Sequence, residues 1–104
     1  MISPLASVHP DAKVAGNVRI DAFAVVEHDT VLGDGTWIMS GSHVLAGSRL
    51  GKNCRIHQGA VVGGMPQDLK FSGEYSEVFL GDGCIIRECA TINRGTKAYG
   101  KTTL

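Results

Sequence analysis

The sequence predicts an all-β fold, a single-stranded parallel β-helix in which short strands wind around a triangular prism. Two observations carry this prediction: an aliphatic residue recurs in steps of six, and a small or compact residue follows each one by four positions. A period of six fits neither an α-helix nor an alternating strand, and it is typical of a solenoid built from hexapeptide repeats. The aliphatic positions are Ile2, Val8, Val14, Ile20, Val26, Leu32, Ile38, Val44, Leu50, Ile56, Val62, Leu80, Ile86 and Ile92.

The other repeat positions indicate how three hexapeptides build one coil. Four residues after each aliphatic side chain comes a compact one that fits beside it in the interior, and the residue before that forms a corner. The compact positions are Ala6, Ala12, Val18, Ala24, Thr30, Thr36, Ser42, Ser48, Cys54, Ala60, Pro66, Cys84, Ala90 and Thr96. Residue types that accept left-handed or tight-turn backbone angles stand at the corners. These are Asp11, Asn17, Asp29, Gly35, Gly41, Gly47, Asn53, Gly59, Gly83 and Gly95.

The composition indicates one small domain without a nucleic-acid or membrane partner. The chain has 104 residues, and its ten basic and ten acidic side chains cancel, so there is no electrostatic attraction to nucleic acid or to an anionic membrane. No apolar run approaches the roughly 18 residues of a membrane span, and the first residues lack a signal-peptide pattern. The expected location is therefore the cytoplasm.

The cysteines and histidines form no recognisable disulfide framework or metal site. Cys54 and Cys84 occupy compact inward positions, and we expect them to be buried free thiols. The histidines lack the spacing of a ligand pair, and we expect structural roles for them at the surface or between subunits. They are His9, His28, His43 and His57.

The repeat is interrupted between Val62 and Leu80. Three hexapeptide lengths separate these residues, but the two register positions between them hold the carboxylates Asp68 and Glu74. The sequence therefore predicts regular coils over 1–62 and 80–104 and an extruded loop over about 63–79. Loops on rigid scaffolds often carry binding residues, although a solvated surface loop is the alternative that composition leaves open.

Two strings give this interruption a more specific meaning. Residues 67–74 read QDLKFSGE, residues 86–96 read IRECATINRGT, and Val8-His9-Pro10 precedes both. With the hexapeptide repeats, these strings resemble the UDP-N-acetylglucosamine O-acyltransferase family, which starts lipid A biosynthesis. The resemblance covers the whole chain. It implies that the parallel β-helix is left-handed.

The resemblance also implies an activity and a set of site residues. Members of the family transfer a 3-hydroxyacyl group from acyl carrier protein to the 3-hydroxyl of UDP-N-acetylglucosamine, with a histidine as general base and a backbone amide for the oxyanion. By position in the shared loop, Asp68 would accept a hydrogen bond from a sugar hydroxyl, Gln67 would line the acyl and sugar region, and Lys70 would face a phosphate. Neither a cofactor nor a metal is implied.

The resemblance also implies what lies outside these 104 residues. The family's general base would lie beyond Leu104, together with further coils, a cap and a C-terminal helical region. We therefore expect an N-terminal fragment that is inactive alone. A thin prism buries few side chains, so we also expect a homotrimer with its threefold axis parallel to the coils, the symmetry being that of the family.

Two other functions remain open at this point. One is a different hexapeptide acyltransferase or acetyltransferase, such as a coenzyme A-dependent enzyme acting on a sugar or an amino acid. The other is a non-catalytic β-helix module that serves trimer assembly. Neither is excluded by the repeats, which many transferases share.

Four further side chains have structural expectations. Arg87 and Glu88 are neighbours on one strand, so we expect them to point to opposite faces and not to pair. Arg94 is expected to pair with Glu88 from a neighbouring turn, and binding a phosphate is the alternative. Trp37 occupies an outward position, at a subunit interface or over a coil edge, where its indole N–H needs a partner.

Overall fold

The computed structural model describes residues 1–64, 77–88, 90–93 and 101–103, and it is built from short strands. Within these ranges no helix occurs, which confirms the all-β prediction. The strands are β1 (Ser7–Val8), β2 (Lys13–Val14), β3 (Arg19–Ile20), β4 (Val25–Val26), β5 (Val31–Leu32), β6 (Trp37–Ile38), β7 (His43–Val44), β8 (Ser48–Leu50), β9 (Arg55–Ile56), β10 (Val61–Gly64), β11 (Glu77–Leu80), β12 (Ile85–Ile86), β13 (Thr91–Asn93) and β14 (Lys101–Thr103).

The strands form three parallel sheets, one for each face of the prism. Because three strands complete one coil, every third strand pairs: the sheets run β1-β4-β7-β10-β13, β14-β11-β8-β5-β2 and β12-β9-β6-β3. Register partners such as Ser7 and Val25 lie 18 residues, or three hexapeptides, apart. The predicted left-handed parallel β-helix is confirmed.

The interior is a stack of the predicted aliphatic side chains. Ile38, Val44, Ile56 and Val62 are fully buried, and each lies in register with an aliphatic residue of the next coil. Val8, Val14 and Ile92, nearer the ends of the described stack, are only partly buried. The repeat therefore places one continuous apolar column along the prism.

The compact inward positions include hydroxyl side chains, and these are fully hydrogen-bonded. Thr30 Oγ1 donates to the carbonyl of Glu27 at 2.9 Å, and Ser42 Oγ donates to that of Met39 at 2.6 Å. A buried hydroxyl without a partner costs about 1–3 kcal/mol. Bonding to the carbonyl three residues earlier lets a hydroxyl residue replace alanine at Thr30, Ser42 and Ser48, whereas Thr36 Oγ1 donates to the carbonyl of Gly51.

Cys54 occupies the same kind of inward position. Its side chain is fully buried, and its Sγ lies 3.3 Å from the carbonyl oxygen of Gly81. Burial raises the pKa of the Cys54 thiol, so the uncharged form is favoured. Cys84 is also a free thiol, as predicted, but it is only partly buried, so the predicted burial is confirmed for Cys54 alone.

The corners mostly follow the prediction, with one exception that the sequence does not reveal. Positive φ angles occur at Gly35, Gly41, Gly47, Gly59 and Gly83, and among other residues at Phe23 (66°), Asp29 (55°) and Asn53 (57°). The predicted corners Asp11 and Asn17 turn without a positive φ. Phe23 is the unexpected case, because a bulky side chain seldom adopts this conformation.

The described strands correct the bounds of the predicted loop. Residues 63–64 extend β10 and residues 77–79 belong to β11, so these parts of the predicted loop are strand. Partners across the interruption, such as Val61 and Thr91, lie 30 residues apart instead of 18. The difference equals the twelve residues 65–76, which lie outside the described residues.

A second interruption was not predicted. Glu77 pairs with Lys101, an offset of 24 residues, which is one hexapeptide more than a regular coil. The count in sixes keeps its phase across this offset, but the spacing between Glu77 and Lys101 is one hexapeptide longer than the regular coil expected over 80–104. Leu104, which that count placed two hexapeptides after Ile92, lies outside the described residues.

We expect Phe23→Asn to raise the free energy of unfolding by about 0.5–1 kcal/mol, because asparagine tolerates a left-handed corner better than phenylalanine does. Phe23 is 69% exposed, so little burial is lost. Urea unfolding measures the change. Leu5→Asn is the matched control, since Leu5 is 64% exposed but has no positive φ. A destabilised Phe23→Asn variant would show that Phe23 packing outweighs the strain.

Candidate functional site

The three predicted binding residues, Gln67, Asp68 and Lys70, lie in the segment 65–76 and therefore outside the described residues. The structure does describe the two places where this segment leaves and rejoins the prism. Both places adjoin strand β8.

The chain leaves the prism at a tightly packed glycine. Gly63 is buried and has a φ of 89°, and a Cβ at this position would lie 2.4 Å from Ser48 Oγ and 3.0 Å from the carbonyl oxygen of Leu45. The pairing of β10 with β13 shifts between Val62 and Gly64. A side chain at residue 63 would therefore push the end of β10 away from Leu45 and Ser48.

The chain rejoins the prism at an ion pair. Arg49 Nε lies 3.1 Å from Glu77 Oε2, and the Nη2 atom of the same guanidinium lies 2.7 Å from Asp29 Oδ1. Arg49 is only 19% exposed, so solvent screens these contacts less than on an open surface. Val78, the residue after Glu77, is fully buried in register with Ser48.

A charged cluster lies at the start of the string IRECATINRGT, residues 86–96. His57 Nδ1 lies 3.0 Å from Glu88 Oε1, and Arg87 Nε lies 3.3 Å from the same oxygen. The Arg87 guanidinium holds the pKa of Glu88 below its usual range, so the carboxylate stays ionised and accepts from both neighbours.

This cluster corrects one prediction. Arg87 and Glu88 were expected not to pair because neighbours on a strand point to opposite faces, yet they do pair. The strand ends at Ile86, so both residues lie beyond it and the alternation no longer applies. Arg94, the predicted partner of Glu88, lies outside the described residues.

Trp37 has the indole partner that the sequence analysis required. Its Nε1 donates to Asp21 Oδ2 at 2.9 Å, and the guanidinium carbon of Arg19 lies 4.4 Å from the ring centroid. Arg19 Nε also donates to Asp21 Oδ1 at 2.9 Å. The indole is thus held on its own face of the prism by a cation–π contact and a hydrogen bond.

The remaining histidines lie on the surface. His9, His28 and His43 are exposed, and the rings of His9 and His28 lie 5.6 Å apart. Both line a groove of about 460 Å³, and His28 also lines a second groove of about 330 Å³. His9 Nδ1 accepts a hydrogen bond from the Asp11 amide at 3.0 Å, so the proton of the neutral ring is on Nε2. Within the described ranges, no group of three or more possible ligands is arranged to hold a metal ion.

Known proteins similar to this chain are hexapeptide-repeat transferases. A family model described as the bacterial transferase hexapeptide, with six repeats, matches residues 29–64. The acyl-[acyl-carrier-protein]–UDP-N-acetylglucosamine O-acyltransferase of Xanthomonas euvesicatoria is 40% identical over all 104 residues. The resemblance to the UDP-N-acetylglucosamine O-acyltransferase family is confirmed. The chain spans about 40% of the length of that relative.

Solved structures of UDP-N-acetylglucosamine acyltransferases have the same fold over the whole chain. The enzyme of Bacteroides fragilis superposes with a TM-score of 0.98 at 50% identity, and the match covers 100% of this chain and 41% of that one. The enzyme of Francisella novicida gives a TM-score of 0.96 at 40% identity, with 100% and 38% covered. In the described part of this chain, no helix is long and apolar enough to cross a membrane.

The contacts on either side of residues 65–76 and around Glu88 are not visible in the sequence motifs. Arg49 and Glu77 are distant in sequence, and so are His57 and Glu88. Register would have shown the first pair: Arg49 pairs with Phe79, so Glu77 lies two residues before that partner on the same strand. That register depends on the bounds of the interruption. The sequence predicted a loop over about 63–79, whereas residues 63–64 and 77–79 belong to strands.

Proposed function

We propose that the protein takes part in transferring a 3-hydroxyacyl group from acyl carrier protein to the 3-hydroxyl of UDP-N-acetylglucosamine, the first step of lipid A biosynthesis. One observation carries this proposal: relatives that bear the name of this acyltransferase match all 104 residues, through both interruptions of the repeat. A likeness confined to the hexapeptides would not distinguish one transferase from another.

Within this reaction the chain supplies the sugar-nucleotide side of the site. Asp68 accepts a hydrogen bond from a sugar hydroxyl, Gln67 lines the acyl and sugar region, and Lys70 places its ammonium near a phosphate. The reaction also needs a base for the attacking hydroxyl and a donor for the oxyanion of the thioester carbonyl. Those two roles are not assigned to residues of this chain.

The described prism supports this arrangement because it is a rigid base on both sides of the segment. Val62 and Val78, close to its two ends, are both fully buried. Residues held by a fixed scaffold lose less conformational entropy when they bind. We therefore propose that residues 1–104 form one β-helix domain that presents residues 65–76 to the sugar nucleotide.

Asp68→Ala is expected to lower UDP-N-acetylglucosamine affinity or turnover by about 10–100-fold, the effect of losing one or two hydrogen bonds to a charged group. Steady-state kinetics and calorimetric titration, on the protein as its gene encodes it, measure the change. Glu74→Ala is the control within the same segment, and its effect should be much smaller. Equal and small effects of both changes would contradict the proposed role.

We also propose that the protein is a homotrimer with its threefold axis parallel to the coils. Among the residues that the structure describes, four large apolar side chains are more than half exposed, namely Met1, Leu5, Phe23 and Ile85. Side-by-side association of flat faces would cover such surface. Sedimentation equilibrium at micromolar concentration should give three times the chain mass, and a stable monomer would contradict this proposal.

The proposed location is the cytoplasm. Cys54 and Cys84 are free thiols in the structure, as is usual in a reducing compartment. Cell fractionation that finds the protein outside the cytoplasm would contradict the proposal.

A further inference from the structure

Arg49 joins three parts of the chain that are far apart in sequence. It lies in β8, and its guanidinium contacts Asp29 on the preceding coil and Glu77 on the following one, at 2.7 and 3.1 Å. Its Nη1 atom also donates to the carbonyl of Ser48 at 3.3 Å. A planar guanidinium can bond two carboxylates on different edges at once, which a lysine ammonium does with less directional control.

The environment of these charges makes the contact stronger than an ordinary surface ion pair. Arg49 is 19% exposed and Glu77 is 28% exposed, so both are largely withdrawn from water. Two carboxylates share one guanidinium, so loss of Arg49 would leave two partly buried negative charges near each other. Asp29 is itself fixed at a prism corner with a φ of 55°.

The residue next to Arg49 holds the other end of the same segment. Ser48 Oγ lies where a side chain on residue 63 would be, and it lies 3.3 Å from the carbonyl oxygen of Val62. Strand β8 therefore contacts the chain on both sides of residues 65–76, with Ser48 beside Gly63 and Arg49 beside Glu77.

We infer that Arg49 is a positioning residue for sugar-nucleotide binding, acting through Glu77 and not by touching the substrate. This inference rests on the proposed function of residues 65–76. Fixing Glu77 defines where the segment returns to the prism, so it restricts the conformations open to the binding residues before the substrate arrives. Looser anchoring weakens binding of substrate and transition state alike, which raises KM and leaves kcat nearly unchanged.

The kinetic test compares Arg49→Gln, Glu77→Gln and the double variant in the protein as its gene encodes it. Each single change should raise the KM for UDP-N-acetylglucosamine about 3–10-fold, with kcat within about twofold of the unsubstituted protein. The double variant should be no worse than the poorer single variant, because both changes break one contact. Arg49→Lys, which keeps the charge, should give an intermediate KM.

Arg19→Gln is the matched control. It removes an arginine–aspartate pair with a 2.9 Å contact to Asp21, in a different sheet from Arg49. Its KM should remain unchanged. A KM that rises equally in Arg19→Gln and Arg49→Gln would reduce the role of Arg49 to general stability.

A second measurement needs no substrate. Lys70 is the one trypsin site within residues 65–76, and Lys52 lies in an exposed turn of the prism. Arg49→Gln should speed cleavage after Lys70 about 3–10-fold relative to cleavage after Lys52, because global unfolding would speed both and local loosening only the first. Arg19→Gln should leave this ratio unchanged.

The two measurements separate the failure of this inference from the failure of the proposed function. If Arg49→Gln leaves both the KM and the cleavage after Lys70 unchanged, the role of Arg49 is overturned. The proposed acyltransferase function still holds in that case, provided that the unsubstituted protein is active. An unsubstituted protein that neither binds nor acylates UDP-N-acetylglucosamine overturns both, even if the cleavage ratio shows that Arg49 anchors the segment.

Discussion

Each coil of the prism must place its inward aliphatic side chains directly over those of the coil before it, because parallel backbone ladders join the two coils residue by residue. The amide of Trp37 donates to the carbonyl of Cys54 at 2.9 Å, and that of His43 to the carbonyl of Ala60 at the same distance. A slip of one residue would turn the aliphatic side chains outward and leave polar ones inside. The six-residue step therefore decides which side chains are buried, where the corners occur, and which residues of distant coils meet on the outside.

Interruptions of the chain are compatible with this constraint only if the register is recovered afterwards. Val61 pairs with both His43 and Thr91, so the coil before the 65–76 segment and the coil after it stack as if the segment were absent. The cost of an insertion is thus confined to its two ends, since loop-closure entropy rises only slowly with length. Gly63 against Ser48 and Glu77 against Arg49 are the contacts that hold those ends. The segment that carries the proposed binding residues consequently begins and ends at fixed points.

The repeat predicted the interior well because one physical requirement, burial in register, acts on every coil. Ile38, Val44 and Ile56 are buried as the period requires. The positive φ of Phe23 could not be predicted from the sequence. Residue type at a corner indicates which residues tolerate a positive φ, but it does not indicate where a bulky residue adopts one. The His57–Glu88 and Arg49–Glu77 contacts depend on side-chain conformations between coils. The second interruption, between Asn93 and Lys101, contains a whole number of hexapeptides, so counting in sixes passes over it.

The proposed function assigns sugar-nucleotide binding to residues 65–76 and assigns the prism the role of a rigid support. Hydrogen–deuterium exchange with and without UDP-N-acetylglucosamine, on the protein as its gene encodes it, tests this division directly. The sugar nucleotide should slow exchange within residues 65–76, whereas the ladder amides of Trp37 and His43 should exchange slowly and at the same rate in both conditions. Protection confined to another surface, such as the grooves beside His9 and His28, with no change in residues 65–76, would contradict the account.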